Sequence, residues 1–164
     1  MSDAPHIADR AEQPYAAISG LVTMAGIGPL AQRTGEVFGW LAARGIAPAG
    51  PPFLRYNVID MERELDIEAG VPIAAPAEGD EHVKVDRLPA GRYVVMNHIG
   101  SPDTLIGAVD RLLSWADSQD LTWDSADTPA GDRWGCRLEI LLTDPDEQPD
   151  MTKWETQLAF RLAD

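Results

Sequence analysis

Between Arg137 and Thr143 a single carboxylate, Glu139, stands in an otherwise strongly apolar run of Leu138, Ile140, Leu141 and Leu142. An acid is disfavoured in such a run unless it is exposed, paired or used. Read as a strand, the run places Leu138, Ile140 and Leu142 on one face and Arg137, Glu139, Leu141 and Thr143 on the other. The leucine and isoleucine face suits packing under a helix, which turns Glu139 away from the helices toward an open sheet face. Spacing alone leaves two readings side by side: a solvated or Arg-paired strand residue, and an acid held for a purpose.

Aromatic side chains supply the walls that such an acid would need. Five tryptophans stand at positions 40, 115, 123, 134 and 154. Trp40 and Trp115 fall at equivalent points of two helical stretches and read as structural. Trp123, Trp134 and Trp154 lie in or beside late loops and strand starts, where they can wall a pocket and offer ring faces to a cation, each contact worth about 0.5–2 kcal/mol. Along Arg92 to His98, Val94, Met96 and His98 alternate with Tyr93, Val95 and Asn97, so Met96 and Tyr93 look to opposite faces, each either lining a cavity or filling core.

The rest of the chain narrows the possibilities. Thirteen Lys and Arg against twenty-seven Asp and Glu give a net charge of −14, a potential that repels phosphate backbones and attracts cations. Nucleic acid is not an expected partner. Met1 to Arg10 is polar, and the apolar stretch Leu21 to Leu30 is short and interrupted by Gly26, Gly28 and Pro29, so neither a signal peptide nor a membrane span is expected. Cys136 is the only cysteine and His6, His82 and His98 lack metal-site spacing, which leaves no expected metal or cofactor and points to a reducing cytoplasm. Gly26-Ile27-Gly28-Pro29 is no phosphate loop, because Pro29 removes an amide and the lysine is missing.

The elements that position Glu139 come from a unit that occurs twice. In the first copy, Pro14 to Val22 predicts a strand, Gly28-Pro29 opens a helix carrying Leu30, Val37, Phe38 and Leu41, and Gly45 ends it. Strands follow over Phe53 to Asp60 and Glu64 to Ile73. In the second, Arg92 to Gly100 is the strand, and Ser101 caps a helix with Pro102 and Asp103 in its first turn and a stripe of Leu105, Ile106, Val109, Leu112, Leu113 and Ala116. After a loop, strands over Trp134 to Thr143 and Lys153 to Leu162 close the copy. A connector, Ala74 to Asp80, and a short strand, Glu81 to Leu88, join the halves. The expected fold is therefore α+β within one domain, 1–164, with halves at about 12–75 and 81–164. Two pseudo-symmetric strand-helix-strand-strand units form one antiparallel sheet with two helices on one face and a ligand cleft on the other.

The segment Arg137 to Pro145 resembles the strand of GyrI-like domains that carries their ligand-contacting glutamate and ends in an Asp-Pro turn. Arg55-Tyr56-Asn57 with Glu64 to Pro72, Leu88 to Tyr93, and His98 to Pro102 agree in order, so the resemblance spans nearly the whole chain. The family is also met as the effector-binding half of AraC- and MerR-type transcription regulators. It implies a multidrug-type binding protein that holds a large, apolar, cationic ligand over Glu139; by residue type and placement, Tyr56, Tyr93, Met96, Trp123, Trp134 and Trp154 are the further ligand-binding residues expected. Leu141 departs from the pattern, standing where many relatives have a tyrosine, and nothing before Pro14 offers a DNA-binding helix-turn-helix. Two alternatives accompany this reading. One is a hydrolase of cyclopropane-bearing toxins with Glu139 as general base and Tyr56 or Tyr93 as hydroxyl partner. The other is a gyrase-inhibitor-like module with a protein partner, drawing on the acidic surface.

Overall fold

A computed structural model describes residues 3–60 and 62–164. Among the described residues, ten strands form an antiparallel sheet in the order β1-β6-β10-β9-β3-β4-β2-β5, with a β7–β8 hairpin attached through β8 to β3. The strands are β1 (His6–Arg10), β2 (Gln13–Val22), β3 (Phe53–Ile59), β4 (Leu65–Pro72), β5 (Lys84–Leu88), β6 (Gly91–Ile99), β7 (Ser125–Thr128), β8 (Gly131–Trp134), β9 (Arg137–Leu141) and β10 (Glu155–Arg161). The helices are α1 (Ile27–Gln32), α2 (Thr34–Ala43) and α3 (Leu105–Ser118).

The duplicated unit is visible in the order. Each half runs first strand, last strand, middle strand, as β2-β4-β3 and β6-β10-β9, and the halves join where β3 pairs with β9. Each edge strand belongs to the other half: β1 pairs with β6, and β5 pairs with β2. The exchange ties the halves together and curls the sheet. At the curl, Glu12 of the β1–β2 turn meets Arg87 of β5 at 3.1 Å.

Both faces of the curled sheet are apolar. On the convex side, α1 covers Leu54, Tyr56, Ile67 and Ala69, α2 covers Ala16, Ile18 and Val71, and α3 covers Val94, Met96, Leu158 and Phe160. On the concave side, Tyr15, Phe53, Tyr93, Val95, Leu138 and Ala159 form a further cluster beneath the two turns. Fully burying one such large apolar side chain contributes about 1.5–3 kcal/mol.

Several expectations are adjusted locally. The first helix is two, α1 and α2, parted at Arg33, where the Thr34 hydroxyl donates to the Ala31 carbonyl at 3.0 Å. Gly45, in the left-handed region at φ 67°, ends α2 as the sequence predicts. Ser101 does not cap through its side chain; its hydroxyl turns to Asp103, and Pro102–Thr104 is a 3-10 turn leading into α3. Ile106 leaves the apolar stripe and is exposed. The strand expected from Trp134 to Thr143 breaks at Gly135-Cys136 into β8 and β9, and the β7–β8 hairpin occupies what reads as a loop.

Candidate functional site

Strand β9 sits at the centre of the sheet, and its register fixes where Glu139 looks. Glu139 lies opposite Leu54 of β3 and Leu158 of β10, and both belong to the clusters under the helices. Glu139 therefore faces the helical side, and the expectation that it faces away from the helices is corrected. The reason is the concave core: Leu138 and Ile140 are apolar because they pack with Phe53 and Tyr93 inside the curl, not because a helix covers them. The helices pack over β2 and β4 on one half and β6 on the other, so β9 runs along the floor of a groove between them.

On that floor stand Arg137, Glu139 and the Tyr56 hydroxyl. Glu139 is surrounded by protein yet keeps partial solvent access. Burial pushes its pKa above the usual carboxylate range, against the opposing pull of Tyr56 and of Arg137. Charges one strand repeat apart, about 6.6 Å along the strand, attract by about 2.5 kcal/mol at an effective dielectric near 20. Desolvation wins over that attraction. The Tyr56 hydroxyl, itself raised well above its ordinary value by burial and by Glu139, hydrogen-bonds the carboxylate and pulls its pKa down. Arg137 is held by ring faces: its guanidinium carbon lies 4.4 Å from the Phe160 centroid and 4.9 Å from that of Trp134. Burial lowers its pKa, and Glu139 opposes the shift.

A second buried acid shows the contrast. Glu68, on the concave side of β4, is 1% exposed and accepts from Tyr15 at 2.5 Å and Asn57 at 2.8 Å, with Lys84 at 3.0 Å. Its oxygens are fully used, as a structural acid requires.

A family model for the GyrI-like small molecule binding domain matches residues 3–162. The chain belongs to this family. The GyrI-like fold recurs in solved structures at low identity. The EcmrR C-terminal domain superposes with a TM-score of 0.71 at 16% identity, covering 98% of this chain and 97% of that one. SAV2435 bound to tetraphenylphosphonium gives 0.67 at 9% identity, covering 98% and 94%. A Listeria innocua protein described as a hydrolase gives 0.64 at 15% identity, covering 97% and 91%. In a complex of EcmrR with DNA, this chain spans 57% of the EcmrR chain, at a TM-score of 0.77 and 16% identity. At these identities the likeness is one of fold. Among curated proteins, none matches the chain.

The remaining residues singled out in this GyrI-like chain divide between the two sides. Tyr56 joins Glu139, and Trp134 lies beneath Arg137. Trp123 packs on Trp134 at 5.5 Å and on Phe160 at 5.9 Å, and Met96 is buried with them under α3. Trp154, half-buried ahead of β10, donates its indole N–H to the Gln148 carbonyl at 2.6 Å. Tyr93 is on the concave face, donating to the Pro89 carbonyl at 2.6 Å, and lines a cavity of about 460 Å³ with Phe53, Leu138 and Ile140. A cleft thus lies opposite the helices as expected, but Glu139, Trp123 and Trp134 lie on the other side. Arg137 is the groove residue that sequence reading set on the same face as Glu139 and left without a role. Among the described residues no group of His, Cys, Asp and Glu is arranged to hold a metal, and no helix is long and apolar enough to cross a membrane.

Proposed function

We propose that the chain binds large apolar cations in the groove between the helices, over Glu139, for sensing or sequestration in the cytoplasm. The observation that carries this is the state of Glu139: a deep carboxylate with partial solvent access, engaged by the Tyr56 hydroxyl and, among the described residues, in no close ion pair. Such a group gains most from a cation that brings little hydration shell of its own. Attraction at about 4 Å is roughly 4 kcal/mol gross at an effective dielectric of 20, before desolvation is subtracted. SAV2435, similar in fold, is a protein whose structure holds tetraphenylphosphonium, a cation of this class. The two halves act here as one ligand-binding unit.

The test is a titration of tetraphenylphosphonium and of a neutral tetraphenyl analogue of equal size, followed by tryptophan fluorescence. The cation is expected to bind at least tenfold more tightly; equal affinities would refute the proposal.

The contact between Tyr56 and Glu139 favours hydrolysis as a second reading, with Glu139 as base toward a water and Tyr56 placing the reacting group. Mass spectrometry of bound cyclopropane-bearing compounds decides it: product that vanishes in Glu139→Gln supports turnover, and unchanged compound in the wild type rules it out.

A further inference from the structure

We infer that the recognition element of the groove is the pair Arg137 and Glu139 together, and that the preferred ligand is amphoteric: an apolar, aromatic molecule carrying both a cationic centre and a carboxylate or sulfonate. The inference rests on the reading that Glu139 takes the cation, and adds the anionic half.

Arg137 and Glu139 are two residues apart on β9, so they rise from the same face of one strand. Among the described residues, the Arg137 guanidinium makes no hydrogen bond and no ion pair; its recorded neighbours in contact are the Trp134 and Phe160 rings. Other buried or half-buried guanidiniums in the molecule are used. Arg55 donates to the Tyr15 hydroxyl at 2.9 Å and the Gly135 carbonyl at 2.8 Å, and Arg161 pairs with Asp124 at 2.9 Å. Ring stacking fixes the plane of Arg137 and leaves its N–H edge free, the arrangement suited to bidentate capture of a carboxylate.

The pair also changes what a plain cation meets. A cation over Glu139 stands close to Arg137, whose like charge opposes it, and the two residues together carry no net charge. A ligand whose positive and negative groups are spaced by about one strand repeat, roughly 7 Å, meets both with the right sign. Repulsion then becomes a second point of attachment. The groove consequently binds a simple cation through Glu139 against the opposing charge of Arg137, and favours over it a ligand whose charges match both residues, on charge placement and not on size.

Rhodamine B, a zwitterion, and its ethyl ester, a cation with the same rings, make the comparison directly by fluorescence anisotropy. Wild-type protein is expected to bind rhodamine B at least tenfold more tightly than the ester. In Arg137→Gln the preference should vanish or reverse, with the ester bound more tightly than by the wild type; Arg137→Lys, which keeps the charge without the planar fork, should retain part of it. Glu139→Gln should weaken both dyes. If the wild type binds the ester as tightly as the acid while Glu139→Gln weakens the ester, the amphoteric inference is overturned and the cation reading survives. If neither dye binds the wild type, both fall. The wild-type comparison needs no variant, so a misfolded substitution does not shield the inference.

Discussion

The two buried acids make opposite predictions, and Glu68 is the sharper test of how the molecule spends its charges. Glu68→Gln keeps the shape but turns one oxygen into an amide that must face a donor, Tyr15 or Asn57, now at 2.5 and 2.8 Å. Losing charge assistance costs about 1 kcal/mol, and a buried unsatisfied donor costs about 1–3 more. The Lys84 contact adds little, because that side chain is 45% exposed and its charge is screened. The total is about 3 kcal/mol. For a chain of this length, that corresponds to a melting temperature lower by roughly 6–12 °C. Urea denaturation and thermal melting, read beside a cation titration of the folded variant, check it. Because Glu68 faces the concave side, cation affinity should not change. A loss of stability below about 0.5 kcal/mol, or a tenfold loss of cation affinity in folded Glu68→Gln, refutes the division of labour between the two faces.

The other predictions concern the groove and the inner core. Tyr56→Phe removes the hydroxyl that lowers the pKa of Glu139, so the acid-side fall in cation affinity should move to higher pH; affinity measured across pH 4–8 checks this, and an unmoved profile contradicts it. The pKa of Glu139 is raised by folding, so its contribution to stability is greatest below the unfolded carboxylate value and is lost as pH rises through the higher folded one. Glu139→Gln should therefore leave the melting temperature at neutral pH unchanged or higher. Gly70→Ala places a Cβ 2.8 Å from Phe53 Cζ and 3.3 Å from Tyr15 Cδ2, and should cost about 1–3 kcal/mol in urea titrations, relieved by Phe53→Leu.

Much of this was legible in the sequence. The duplicated unit, the strands expected from Phe53, Glu64, Arg92 and Lys153, and the opposite facing of Tyr93 and Met96 follow from period-two alternation and turn residues, and the strands appear from Phe53, Leu65, Gly91 and Glu155. The orientation of β9 did not follow. Alternation separates two faces but cannot say which one lies under a helix when both are buried, and the concave core of Tyr15, Phe53 and Tyr93 is assembled from strands far apart in the chain. Strand β1 was missed for a similar reason, since His6-Ile7-Ala8-Asp9-Arg10 carries little apolar signal and is recruited by the edge of β6. Arg137 as a partner of the site depends on the Phe160 ring, which the pairing of β9 with β10 sets opposite it, and on the Trp134 ring at the end of β8.

The central claim, that Glu139 holds the positive charge of the ligand, is tested most directly by calorimetric titration of tetraphenylphosphonium into the wild type and Glu139→Gln under identical conditions at neutral pH. Loss of the charge with retention of shape should weaken binding by about 1.5–3 kcal/mol, roughly ten- to a hundredfold. Equal dissociation constants in the two proteins would show that the cation does not sit over Glu139.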